Sequence, residues 1–98
     1  MYCIVWEYKI DKSKRSEFEA YYSRSGAWFK FFEPCDDFLG HDFIRHTEEP
    51  TYLIIDKWMG KKEYEAFLSS RKMEYEALNS ESANLYEAEK MIGTYETL

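Results

Sequence analysis

FLGHDFIRHTEEPTYLIIDKWM, residues 38–59, carries the clearest structural signal in the chain. Phe38 to Thr47 reads as one strand, Glu48-Glu49-Pro50 as a turn and Thr51 to Met59 as a second strand, so the stretch predicts a β-hairpin. Upstream, Tyr2 to Lys9 (YCIVWEYK) is dense in β-branched and aromatic residues on both alternating faces, which predicts a strand covered on both sides. Asp11-Lys12-Ser13 offers capping side chains, and Phe18, Tyr21, Tyr22, Ser25, Trp28, Phe29 and Phe32 then recur at steps of three and four. The spacing predicts one amphipathic helix ended by Pro34, with Phe31 off its apolar stripe and either exposed or at a subunit contact. After Gly60 a second stripe runs through Tyr64, Phe67, Leu68, Arg71, Tyr75 and Leu78, with Ser69-Ser70 as a possible break. A final strand is expected from Ala88 to Tyr95, weakened by Gly93.

The predicted order is strand, helix, strand, strand, helix, strand. This is an α+β, ferredoxin-like βαββαβ pattern, in which both helices cover one face of a four-stranded antiparallel sheet. The other face is left bare. Because the strands at 2–8 and 52–58 are apolar on both faces, the bare face is expected to pack on a second copy, giving a homodimer through the sheet face.

Composition narrows the functional classes. The 98 residues suit a single domain over residues 1–98, and a chain this short buries only roughly 60 to 65% of its unfolded surface, a thin margin that a second chain would improve. Aromatics are 19% of the sequence, more than one small core hides, which points to a subunit interface or a ligand cavity for a small aromatic molecule. The net charge of −6 argues against nucleic acid as a partner, since phosphate binding draws on Lys and Arg. No apolar run approaches a membrane span, and Met1 leads directly into a strand-like segment, so a cytoplasmic location is expected and no membrane partner. Cys3 and Cys35 lack C-x-x-C spacing, which indicates neither a disulfide framework nor a zinc ribbon.

Tyr52, Ile54, Asp56 and Trp58 share one strand face, which sets a carboxylate beside an indole at the end of an apolar row. A carboxyl in such surroundings has its pKa raised and suits a general base or acid; the plainer alternative is an ion pair across a dimer. Arg71 falls within the second helix's apolar stripe. Either it pairs with Asp56 or another carboxylate, or it lines a cavity as a cation that steadies an enolate or phenolate. His41 and His46 lie five apart on a predicted strand and should face opposite ways, so no histidine metal site is expected, while His41 remains a candidate proton acceptor. Trp6, Tyr22, Trp28, Tyr64, Tyr75 and Trp58 are candidate pocket aromatics, with core packing as the alternative. No G-x-G-x-x-G, P-loop or G-x-S-x-G motif occurs, so no cofactor is expected.

Phe38-Leu39-Gly40, Ile44-Arg45-His46, Tyr52 to Trp58 and Glu63-Tyr64-Glu65-Ala66-Phe67 resemble the core of antibiotic biosynthesis monooxygenase domains. Val5-Trp6-Glu7-Tyr8, Ser25-Gly26-Ala27-Trp28 and Ile92-Gly93-Thr94-Tyr95-Glu96 are similar to one subgroup. The resemblance implies a dimeric α/β barrel with a cavity between each sheet and its helices, lined by aromatics that include the tryptophan matched by Trp58. It further implies a cofactor-independent monooxygenase, or a related small-molecule enzyme, acting on an aromatic or enolisable metabolite that is deprotonated and itself reduces oxygen. On that reading Asp56 or His41 is the base, and Arg71, Tyr64 and Trp58 hold the substrate. Haem-degrading relatives use an asparagine on the first strand and a histidine on the second helix. Here Glu7 lies in the first region and Arg71 to Leu78 has no histidine, so the sequence departs from that pattern. The alternative is a non-catalytic dimeric binding or accessory protein. A pocket of a few hundred Å³ beside Trp58 would favour the enzyme and a filled interior the alternative.

Overall fold

The computed structural model describes residues 1–98. It comprises β1 (Tyr2–Lys9), α1 (Arg15–Tyr22), α2 (Ala27–Phe32), β2 (Phe38–Arg45), β3 (Thr51–Trp58), α3 (Lys61–Ser70), α4 (Lys72–Ser82) and β4 (Ala88–Glu96). The sheet order is β2-β3-β1-β4 with every neighbouring pair antiparallel. This is the ferredoxin-like α+β arrangement that the order of apolar segments predicts. No helix is long and apolar enough to cross a membrane.

Strand alternation decides what the site can contain. Register pairs Tyr2 with Trp58, Ile4 with Asp56, Trp6 with Ile54 and Tyr8 with Tyr52, so one row of side chains from each strand stands under the helices. In β3 that row, Tyr52, Ile54, Asp56 and Trp58, is buried throughout. The opposite face carries Val5 and Ile55, half-buried, with Leu53, Ile44 and Tyr95 exposed to 36%, 48% and 55%. Lys57 and Asp42 bridge it with a 2.9 Å ion pair.

Each crossover is two short helices. The single helix expected up to Pro34 is broken at 23–26, where the chain turns so tightly that a Cβ on Gly26 would lie 2.4 Å from the Tyr21 carbonyl oxygen. The break re-phases α2. Phe31, expected off the stripe, therefore packs its ring 5.2 Å from that of Phe67 and is half-buried. The second crossover breaks at Arg71, one residue beyond Ser69-Ser70, where the backbone leaves helical geometry at φ −122°, ψ 30°.

The hairpin strand expected to reach Thr47 stops at Arg45. His46 instead closes the turn, its Nδ1 accepting from the amides of Glu48 and Glu49 at 3.0 and 2.9 Å. At the chain's first helical turn Asp11 Oδ1 accepts from the Ser13 amide at 2.8 Å, the capping contact expected there.

Candidate functional site

Asp56 and His41 face each other across β3 and β2. The pairing depends on an irregularity in β2. Phe38 opposes Trp58 and Gly40 opposes Lys57, so Leu39 is an extra residue, and Gly40 takes φ +111°, open to glycine but strained for other residues. Without this bulge Phe38 and His41, three residues apart, would point to opposite faces. With it, both stand under the helices.

The pair is held dry. The His41 and Asp56 side chains are 3% and 13% exposed, with Nδ1 and Oδ1 3.8 Å apart, too long for a hydrogen bond. Burial alone pushes the Asp56 carboxyl up to about 7, because the ionised form loses its hydration. Burial also lowers the His41 imidazole, helped by the positive charge of Arg24. The histidine is thus uncharged at neutral pH, and its Nε2 is buried without a hydrogen-bond partner. A half-titrated carboxyl beside a neutral imidazole can take or give a proton at neutral pH.

A cavity of about 70 Å³ opens beside this pair. Its floor is Trp6, Tyr8, Ile54 and Asp56 of the sheet with His41 at one side. Tyr22, Trp28, Phe32, Tyr64, Tyr75 and Asn79 form the helical roof, and Glu89 of β4 completes the wall. The roof is pinned from behind: Trp28 Nε1 donates to Ser82 Oγ at 3.2 Å, and that hydroxyl donates to the Leu78 carbonyl at 2.8 Å. On the floor, Tyr8 donates to Glu89 Oε2 at 2.6 Å. Burial pushes the Tyr22 phenol up to about 12, with the Tyr86 phenol and the Glu89 carboxylate adding to the rise and its contact to Ser82 opposing it. The volume falls between a filled interior and the few hundred Å³ of a drug-sized site; it suits a small planar group or one end of a larger molecule.

Of the residues singled out in the sequence, Asp56, His41, Trp6, Tyr22, Trp28, Tyr64 and Tyr75 converge on this cavity. Two do not. Arg71 lies at the helix break, where the changed phase carries it outward; Nε and Nη2 donate to Glu74 at 2.7 and 2.6 Å, and its guanidinium lies over the rings of Phe31 and Phe67. Trp58 is fully buried one layer behind the wall, its ring 5.4 Å from that of Phe32 and 5.3 Å from that of Tyr64, and does not line the cavity.

Sequence reasoning missed Tyr8, Phe32, Ile54, Asn79 and Glu89. Tyr8 and Ile54 were within reach, because each shares a strand face with a residue that was chosen, Trp6 and Asp56. Asn79 lies one helical turn beyond Tyr75. Glu89 carried no signal, since its place depends on the pairing of β1 with β4, where it opposes Tyr8.

No family model matches the sequence, and no curated protein matches it. Solved structures do match. A variant of SnoaB, a cofactor-independent oxygenase from Streptomyces nogalater, superposes with a TM-score of 0.79 at 16% identity, covering 98% of this chain and 91% of that one. An antibiotic biosynthesis monooxygenase by description, from Nitrosomonas europaea, matches at a TM-score of 0.75 and 14% identity, over 100% and 99%. The ActVA-Orf6 monooxygenase of Streptomyces coelicolor, in complex with nanaomycin D, matches at 0.75 and 12%, over 99% and 87%. Over its full length, this chain has the fold of the antibiotic biosynthesis monooxygenases.

Proposed function

We propose that the protein is a small-molecule enzyme of the cofactor-independent monooxygenase kind, acting on an aromatic or enolisable metabolite. The observation that carries this reading is the dry Asp56–His41 pair at the wall of an aromatic cavity. Asp56 takes a proton from the substrate's activated C–H or O–H, and the electron pair stays on the substrate. Molecular oxygen then accepts electrons from that carbanion or phenolate. A hydroperoxide forms at that carbon, and its O–O bond breaks as the carbon's remaining hydrogen is lost as a proton. The carbon ends as a carbonyl, and the other oxygen leaves as water with that hydrogen and the proton returned by Asp56. Tyr64 and Asn79 supply donors to the anion, and the aromatic walls exclude water. The likeness in fold to an oxygenase described as cofactor-independent supports the reading.

The test is oxygen consumption over a panel of electron-rich phenols and enolisable ketones. For an accepted substrate, kcat/KM rises with pH as Asp56 ionises and levels off above about 7. A flat profile from pH 5 to 9 would remove Asp56 from the role of base. The small volume of the cavity favours, as the second reading, a non-catalytic binding protein. That protein would show saturable binding with no oxygen uptake on any member of the panel.

We also propose that two copies pair through the open sheet face, which sets Val5, Ile55, Leu53, Ile44 and Tyr95 against a second chain and hides apolar surface that water otherwise meets. Light scattering at micromolar concentration is expected to give twice the chain mass of 11.9 kDa. A monomer there rules the pairing out.

A further inference from the structure

The charged side chains that line the cavity are of one sign. Its lining holds the carboxyls of Asp56 and Glu89 and the uncharged His41, and it contains no lysine or arginine. The nearby cations are engaged or point elsewhere. Arg71 is bound to Glu74, Arg15 lies over the Tyr52 ring and donates to its hydroxyl at 3.2 Å, and Arg24 lines a separate open groove with Asp42, Phe43 and Ile44 on the far side of His41, where its charge is felt at the imidazole but it does not line the cavity.

The walls add to this field. Trp6, Tyr8, Tyr22, Trp28, Phe32, Tyr64 and Tyr75 bring seven aromatic rings to a cavity of about 70 Å³, and a ring whose face is turned to a ligand presents negative charge to it. The field reaches the roof: both Glu89 and Asp56 add to the burial that raises the Tyr75 phenol above its ordinary value. Glu89 is also held in place, its Oε2 taken by Tyr8 while Oε1 remains open to a ligand's donor. At the other end, His41 Nε2 is a buried polar atom still lacking a partner. An anionic ligand entering here meets two carboxyls and seven aromatic rings, with no lysine or arginine in the lining to balance its charge. A cation meets an acceptor and an aromatic cage.

We propose that the ligand of this cavity carries a cationic nitrogen, an ammonium or alkylated ammonium, seated against Glu89 and the rings of Tyr8 and Tyr75, with its neutral aromatic or enolisable part directed at Asp56 and His41. This rests on the reading of the cavity as a substrate site. It also accounts for how a site without its own cation tolerates a developing enolate or phenolate: the countercharge arrives on the substrate.

Three probes of nearly equal shape separate the charges: benzylamine (cationic), benzyl alcohol and benzoate, titrated by calorimetry and by amide-shift NMR at pH 8. Benzylammonium is expected to bind roughly tenfold or more tighter than benzyl alcohol, with benzoate weakest. Glu89→Gln is expected to remove about tenfold from the amine's affinity and leave the alcohol unchanged, since Glu89 is exposed on an edge strand and its replacement leaves the core intact. Benzoate binding as well as benzylamine, an amine preference that survives Glu89→Gln, or no amine binding at millimolar concentration overturns the proposal. Its failure is distinguishable from failure of the enzymatic reading. Oxygen uptake on neutral or anionic substrates with no amine preference sinks only this inference, whereas the expected order of binding with no uptake on any amine-bearing phenol sinks only the other.

Discussion

Trp58→Ala is expected to lower the free energy of unfolding by about 3–5 kcal/mol, the range for deleting a large buried aromatic side chain. Against a total of about 5–15 kcal/mol for a domain this size, that removes a large part of the margin. The residue has no exposed surface, and four rings converge on it: Phe32, Phe38, Tyr64 and Phe67, at centroid distances of 5.4, 5.2, 5.3 and 5.4 Å. Trp58→Phe should behave differently. The indole Nε1 is buried without an acceptor, so the smaller ring gives up packing area and at the same time removes an unpaired donor, two effects of opposite sign. Urea unfolding of both variants separates the contributions. The phenylalanine variant is expected within about 1.5 kcal/mol of the parent, and a loss as large as the alanine variant's would mean that the N–H has a partner in solution.

What strand and helix periodicity carries was legible before the fold was known, and what long-range pairing carries was not. The face shared by Tyr52, Ile54, Asp56 and Trp58 follows from a period of two and is found intact. That face says which residues stand under the helices, but not which of them meet a cavity. Trp58 and Asp56 are neighbours on it, yet one is walled in by Phe32 and Tyr64 while the other lies open to the cavity. Of the two readings of Arg71, pairing with a carboxylate holds, at Glu74, and lining the cavity does not, for a related reason. Projecting residues 61–78 on one helical wheel assumes a continuous helix, and a single residue with non-helical φ and ψ discards that phase. The same holds for Phe31 after the turn at Gly26. His41 depends on the extra residue at Leu39 and the left-handed Gly40; a glycine in a strand hints at a bulge but does not say that two partners will be brought opposite each other.

Asp56→Asn is expected to change activity and stability in opposite directions, which separates a lost base from a damaged fold. Asparagine keeps the shape of the carboxyl and cannot accept a proton at neutral pH, so turnover on any accepted substrate should fall by about 10²–10⁴, the usual contribution of a positioned general base. Stability follows from the raised carboxyl. In the unfolded chain Asp56 titrates near an ordinary value of about 4, whereas in the fold it titrates near 7. The folded state therefore binds the proton more tightly. The stability this contributes is fully present below about pH 4 and is lost as pH rises through about 7, beyond which the fold carries the cost of a buried charge. Removing that charge should stabilise the protein at pH 8.5 by about 2–4 kcal/mol, since each tenfold in proton affinity is worth about 1.4 kcal/mol and the small exposure of the side chain moderates the full gap. At pH 4, where Asp56 is protonated in the parent and resembles asparagine, the two proteins should unfold at nearly the same denaturant concentration. Equal stability at both pH values would mean that water reaches Asp56 and its carboxyl is ordinary. Undiminished turnover would transfer the role of base to His41, which faces the same cavity and would then be the residue to replace.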